Sequence, residues 1–277
     1  MAMMRQFRQV DVFSSTPYLG NPLAVVLGAD GLSAEQMRRF SRWTNLSEAT
    51  FVLAPEDPAA DYLVRIFNLD QELPFAGHPT LGTCHAWLEA GGQPRADTVV
   101  QQCGAGLVRV RRDGDRLAFA APPLVRSGPV DEQLAAHVAE VLGIGRDEIV
   151  DMQWADNGPE WIAVLLSSVE AVLAIRPGST DVDVGVAAPY PAGSPSDFEV
   201  RTFFRAGDAT IEDPVTGSLN ASLAQWLLAS GRATAPYVVS QGAVLGRQGR
   251  VCVSQDDSGQ VWVGGSNVTC VKGEVLL

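Results

Sequence analysis

Apolar positions along the chain fall into short β-type runs separated by turns, interrupted by a few stretches of helical spacing. VRIF from Val64 and VRTF from Val200 read as strands, and GNPLAVVL from Gly20 and GPEWIAVLL from Gly158 each read as a Pro-bearing turn followed by a continuous apolar strand. Helices are predicted over residues 33–44, where SAEQM supplies an N-cap and an acidic first turn, over 130–142, and as two longer segments at 79–90 and 214–230. The most apolar stretch, residues 161–175, is interrupted by Glu170 and is too short to span a bilayer.

These elements recur in the same order. HPTLGT from His78 and DPVTGS from Asp213 share a polar residue, Pro, two residues, Gly and a hydroxyl residue, with Ala86 and Leu88 opposite Ala221 and Leu223. VRIF matches VRTF, the two Pro-bearing turns match, and QCGAGLVRV from Gln102 is loosely echoed by QGAVLGRQGRVCV from Gln241. Four matched segments in one order at a nearly constant spacing indicate an internal duplication. The expected fold is therefore α+β, with two similar lobes, each a curved, mostly antiparallel sheet or barrel around a long central helix. The Pro- and Gly-rich APPLVRSG suits a linker, giving lobes of residues 1–124 and 125–277, with the last ten or so residues returning to the first lobe.

Composition narrows the partners. With 46% apolar and 19% charged residues the chain has an ordinary globular balance. A net charge of -12 with no basic stripe argues against nucleic acid, whose phosphates must be neutralised by Lys and Arg. A small anion remains compatible, provided backbone N–H groups receive it. Cys84, Cys103, Cys252 and Cys270 are widely spaced without a CxxC pair, so reduced thiols and a cytoplasmic setting are expected. The N-terminus shows no apolar run before a small-residue cleavage site, and neither a signal peptide nor a membrane segment is expected.

The matched turns carry the candidate chemistry. Pro79 and Pro214 are placed at helix starts, with His78 and Asp213 as the caps and Gly82 and Gly217 allowing close approach, so that each first turn would cradle an anion. An Asp before Pro ordinarily does no more than cap. The matched position holds His78, a poorer cap that exchanges protons near neutral pH, which suggests a division of labour between two titratable groups. Glu48, in NLSEATFVL, sits at the entrance to an apolar strand, either as a solvated loop carboxylate or as a base tuned by burial. Thr83 and Ser218 offer hydroxyls inside the helix starts, and Asn21, Pro22, Asn157 and Gly158 form the other matched turns. His85 and Cys84 have no further ligand at metal spacing, and no dinucleotide, phosphate-loop, esterase or kinase pattern occurs.

Over nearly its whole length the chain resembles the PhzF-like family, whose members share the two-lobed fold of diaminopimelate epimerase. The resemblance is carried by QVDVF, GNPLAVVL, NLSEATFVL, RIFNLDQELPFAGHPTLG, EDPVTGSLNASLA, QGAVLGRQGRV and VWVGG. It implies an active site between the lobes, Glu48 as the acid/base that shuttles a proton, and His78, Asp213 and Ser218 around the reacting carbons, with Gly77 and Gly217 presenting backbone to the substrate. It further implies a metal-free, cofactor-free isomerisation of a dihydro-3-hydroxyanthranilate and a homodimeric assembly. The related epimerases use one thiol from each lobe, and both helix-entry loops here lack Cys. The chain departs from many relatives at LNASLA from Leu219, where Leu219 and Asn220 bear on the expected pocket.

The leading expectation is a cofactor-independent isomerase moving a proton and a double bond on a small anionic carboxylate. An epimerase of an amino-acid-like substrate without the two-thiol mechanism, and a non-catalytic metabolite binder that keeps the fold, are the alternatives.

Overall fold

The computed structural model describes residues 2–277 and divides into two compact units, one holding the chain up to Ala120 together with Gly264–Leu277, the other Ala121–Val263. In the first unit the elements are β1 (Met4–Val12), β2 (Asn21–Val26), α1 (Ala34–Thr44), β3 (Ala49–Leu53), β4 (Tyr62–Phe67), β5 (Glu72–Leu73), α2 (Gly77–Glu89), β6 (Thr98–Cys103), β7 (Gly106–Asp113) and β8 (Arg116–Ala120). The second holds β9 (Arg126–Pro129), α3 (Glu132–Leu142), β10 (Ile149–Asp156), β11 (Ile162–Leu166), α4 (Val169–Ala174), β12 (Val184–Pro189), β13 (Phe198–Ala206), β14 (Ala209–Glu212), α5 (Gly217–Ala229), β15 (Tyr237–Gln241) and β16 (Gly249–Gln255). The chain leaves the second unit within β17 (Val261–Gly265), and β18 (Asn267–Leu276) pairs antiparallel with β1 of the first.

The two sheets repeat one ladder. In the first unit β1, β2, β3, β4, β6 and β7 are neighbours in that order, antiparallel except for β2/β3 and β4/β6. In the second, β10, β11, β12, β13, β15 and β16 follow the same order with the same two parallel steps, β11/β12 and β13/β15. Each unit is thus an α+β body of mostly antiparallel sheet.

Each sheet packs around one helix and is covered outside by others. In both α2 and α5, nine of thirteen residues are buried, as expected of helices apolar around the whole circumference. At Gly82 a Cβ would stand 2.6 Å from Leu23 Cδ2 and 2.8 Å from Val12 Cγ2, so only glycine lets α2 lie this close to β1 and β2. The opposite faces bury Phe51 and Phe67 with Met37 and Phe40 of α1, and Val164, Val186 and Phe203 with Val138 of α3 and Val172 of α4. Helix α1 starts at the Ser33 capping box and ends on Asn45 in the left-handed region, and α3 is capped by Asp131.

The repeat register differs from the one read from HPTLGT and DPVTGS. Phe67 pairs with Glu72 and Phe203 with Glu212, and α2 and α5 begin at Gly77 and Gly217, five residues after those glutamates. ELPFAGH from Glu72 therefore matches EDPVTGS from Glu212, so Pro74 aligns with Pro214, Gly77 with Gly217 and His78 with Ser218. The helix ends agree, since Gly91 donates to the Leu88 carbonyl and Gly231 to that of Leu228. The predicted helix starts at Pro79 and Pro214 and the cap roles of His78 and Asp213 are corrected accordingly. The N-caps are Ala76 and Thr216, neither with a side-chain cap bond; His78 and Pro79 lie inside the first turn, where Pro's missing N–H costs nothing, and Asp213 precedes the helix. Likewise Val200 pairs with Gln241 as Leu63 pairs with Gln102, one position out of step, so Gln241 corresponds to Cys103 rather than to Gln102.

A duplicated ion pair fixes that register. Arg65 Nε and Nη2 donate to the two carboxylate oxygens of Glu72 at 2.7 and 2.5 Å, and Arg201 does the same to Glu212 at 2.9 and 2.7 Å. Arg201 and Glu212 are 2% and 12% exposed, against 27% and 39% for Arg65 and Glu72. The buried guanidinium also donates to the carbonyls of Val172 and Ile175, tying the end of α4 to β13. Glu212→Ala, which leaves Arg201 charged and buried, is expected to cost about 3–5 kcal/mol. Glu72→Ala, at the exposed copy, is expected to cost about 1 kcal/mol or less. Urea unfolding of the two variants checks this, and equal losses would contradict it.

Candidate active site

In the first unit, Glu48 and His78 come together. Glu48 immediately precedes β3 and stands two residues before Thr50, whose hydroxyl accepts from that of Thr83 on α2 at 2.8 Å. Side chains two apart share a face of a strand, so Glu48 points towards α2. There its Oε2 lies 3.5 Å from Nε2 of His78, the second residue of the helix, with the two side chains 18% and 6% exposed. Burial pushes the His78 imidazole down to about 3, so it is neutral at ordinary pH and the contact is not an ion pair.

In the second unit, a buried amide orders the segment before α5. The Gln241 carbonyl oxygen accepts from the Thr216 N–H at 3.1 Å and from Asn220 Nδ2 at 2.8 Å, so its Nε2 must face Thr202 Oγ1 and Thr216 Oγ1, each at 3.0 Å. Because the Thr216 hydroxyl receives a hydrogen from Gln241, its own goes to Asp213 Oδ2 at 2.6 Å. Asp213 is thereby held as an acceptor by a one-way chain, Gln241 to Thr216 to Asp213. Ser218, the second residue of α5, accepts from Trp161 Nε1 at 3.1 Å, and its carbonyl accepts from Asn157 Nδ2 at 2.8 Å. Gly158, at φ 128°, closes the Asn157 turn by donating to Asp156 at 2.8 Å.

The other sequence candidates divide. Gly77 and Gly217 open the two helices, so the free N–H groups of each first turn have a glycine at their head. Asn21, fully buried, and Pro22 open β2 opposite Val12 and Asp11. Thr83 is not at a helix end: it lies midway along α2 and its hydroxyl is spent on Thr50, a packing role. Leu219 and Asn220 turn inward as well. Leu219 is fully buried against Gly185, where a Cβ would stand 2.2 Å from Leu219 Cδ2, and Asn220 bonds to Thr216 and Gln241. Trp161, Thr216 and Gln241 were not visible in the sequence as contributors, because a lone Trp, Thr or Gln reads as ordinary core.

Two of the thiols, Cys84 and Cys103, are unsuited to acid/base work. Burial pushes Cys84 up to about 12 and raises Cys103. Among the described residues, no helix is long and apolar enough to cross a membrane. What the two helix entries offer is a half-buried carboxylate beside a neutral imidazole in one unit, and a helix start flanked by a fixed carboxylate acceptor and a hydroxyl in the other.

The neutral state of His78 has a pH signature. Its folded value, about 3, lies below the ordinary value of about 6.5, so between these the unfolded chain binds the extra proton and stability falls as pH drops through that window. The expected slope is up to about 1.4 kcal/mol per pH unit. His85, also pushed down by burial, acts in the same direction, so the quantity to measure is the difference between wild type and His78→Asn in urea midpoint from pH 7 to 4. The variant should lose less stability on acidification; parallel curves would show that His78 is not held neutral.

The family described as "Phenazine biosynthesis-like protein" (PhzC-PhzF) matches residues 10–273. The chain is 34% identical to "Antisense-enhancing sequence 1" of Schizosaccharomyces pombe over 98% of each chain. It is 32% identical to the trans-2,3-dihydro-3-hydroxyanthranilate isomerase of Pseudomonas aeruginosa, over 99% of this chain and all of that one. A crystal structure of a PhzF-family phenazine biosynthesis protein of Bacillus anthracis superposes with a TM-score of 0.86 at 21% identity, over 99% of this chain and all of that one.

Proposed function

The chain belongs to the phenazine biosynthesis-like PhzC-PhzF family and is an isomerase, and we propose that it relocates a proton, with a double-bond shift, on a small carboxylate of the dihydro-hydroxyanthranilate type. The observation that supports this reading is the Glu48–His78 pair at the start of α2. A carboxylate placed to take a proton from one carbon and return it to another needs a neighbour that binds without itself competing for the proton. An imidazole pushed down to about 3 meets that requirement: it stays neutral through the cycle and serves as hydrogen-bond donor or acceptor.

In this reading Glu48 carries the proton, His78 orients the reacting carbons, and Asp213 accepts a hydrogen bond from a polar substituent. In the second unit the first-turn N–H groups behind Gly217, with the Ser218 hydroxyl, receive the carboxylate, and in the first unit Gly77 presents backbone N–H beside His78. Asn21 and Pro22 in the first unit, and Asn157 and Gly158 in the second, shape the adjoining turns; Asn157 does so through the Ser218 carbonyl. Proton relocation leaves the electron count of the substrate unchanged, so the proposal invokes no cofactor.

Glu48→Gln keeps the size of the side chain and removes its basicity. It is expected to lower kcat on trans-2,3-dihydro-3-hydroxyanthranilate by about a thousandfold or more while leaving carboxylate binding within a few-fold. In D2O the wild type should place solvent-derived deuterium at the carbon that gains the proton. Turnover of the variant at the wild-type rate would refute the role of Glu48, and inversion of a stereocentre without movement of the double bond would convert the reading to an epimerase.

A further inference from the structure

The ladder that aligns the two units also assigns a counterpart to Glu48. Ala49 pairs with Phe67 and Val184 with Phe203, and these phenylalanines are equivalent through their pairing with Glu72 and Glu212. The residue before Ala49 is Glu48; the residue before Val184 is Asp183. Each unit therefore places a carboxylate at the entry to the same strand.

The geometry around Asp183 repeats as well. Along β12, Val184, Val186 and Ala188 belong to the outer core with α3 and α4, and the alternate residue Gly185 faces α5, where it meets Leu219. Asp183, two residues before Gly185, shares its face, as Glu48 shares the Thr50 face beside α2. Its carbonyl accepts from the Ile162 N–H at 2.8 Å, which puts it in the rung beside Trp161, the residue whose indole holds Ser218. Asp183 is only half-exposed. Burial, and then the neighbouring Glu160 carboxylate, raise it above the usual range, so it gains from any ligand that brings a hydrogen-bond donor or a positive charge.

We propose that Asp183 contacts the substrate and selects small carboxylates bearing an amino group on the adjacent carbon, the carboxylate lying on the first turn of α5 and the amine donating to Asp183. This rests on the proposed reading of the site as one for a dihydro-hydroxyanthranilate type of substrate and adds the residue that reads its amine. A simple carboxylate would satisfy the helix start and leave Asp183 beside Glu160 without a donor; an ortho-amino acid satisfies both.

Anthranilate and benzoate, which differ only by that amine, are the probes. Isothermal titration calorimetry on the full chain should show anthranilate bound about tenfold more tightly than benzoate by the wild type. In Asp183→Asn and Asp183→Ala that preference should collapse to about twofold or less, with benzoate affinity little changed. Glu48→Gln should retain the wild-type preference, which separates this inference from the assignment of the proton carrier. An unchanged preference in both Asp183 variants, with wild-type circular dichroism, would overturn the proposal. So would a wild type that binds the two probes equally or binds neither at millimolar concentration.

Discussion

Both helix-entry turns hang from one interaction, the two-pronged bond between an arginine on a long strand and a glutamate on the short strand beside it. In each unit the glutamate starts a segment Glu-x-Pro-x-x-Gly whose glycine is the first residue of the buried helix, so the Arg–Glu pair sets where the helix begins and which residue stands second in it. The loops around it vary freely: the hairpin from Phe203 to Glu212 is four residues longer than that from Phe67 to Glu72, without moving the glycine relative to the glutamate. Planar, doubly bonded guanidinium–carboxylate geometry tolerates little sliding, which is why it suits a fixed point in a loop-rich region.

From that fixed point the two helix starts receive different electrical characters. In α2 the second residue is an imidazole that burial keeps uncharged, facing a carboxylate from the adjoining strand. In α5 it is a hydroxyl held by an indole, with Asp213 locked as an acceptor through a chain of hydrogen bonds whose direction is fixed at Gln241. Burial suppresses two chemistries at these helices: the Cys84 thiol stays protonated and His78 stays neutral.

Much of this was legible in the amino-acid order, because strands, helices and turns declare themselves through local spacing. The apolar runs at Val64 and Val200, the Ser33 cap and the presence of a duplication follow from residues close together in the chain. The alignment of the two helix-entry turns did not, since a pattern of Pro, Gly and hydroxyl residues fits equally well five residues out of step. Only the cross-strand pairs Phe67–Glu72 and Phe203–Glu212 decide it. Glu48 stood out as a charge at the mouth of an apolar strand, whereas its nearness to His78 is a tertiary fact. Gln241, Thr216 and Trp161 carried no signal at all, because nothing local distinguishes a buried amide that orders a loop from one that fills space.

The fit of Leu219 onto Gly185 carries a consequence for how the two halves came to differ. The equivalent positions in the first unit are Pro79 and Thr50, and there the threonine hydroxyl is bonded to Thr83. A methyl-rich side chain at 219 requires a bare backbone at 185, while the Thr83 hydroxyl on α2 relies on Thr50 as its acceptor, so neither strand residue could be exchanged with its counterpart alone. Once the copies had drifted this far, each became committed to its own helix face, and recombination between them would exchange whole strand-and-helix modules or nothing.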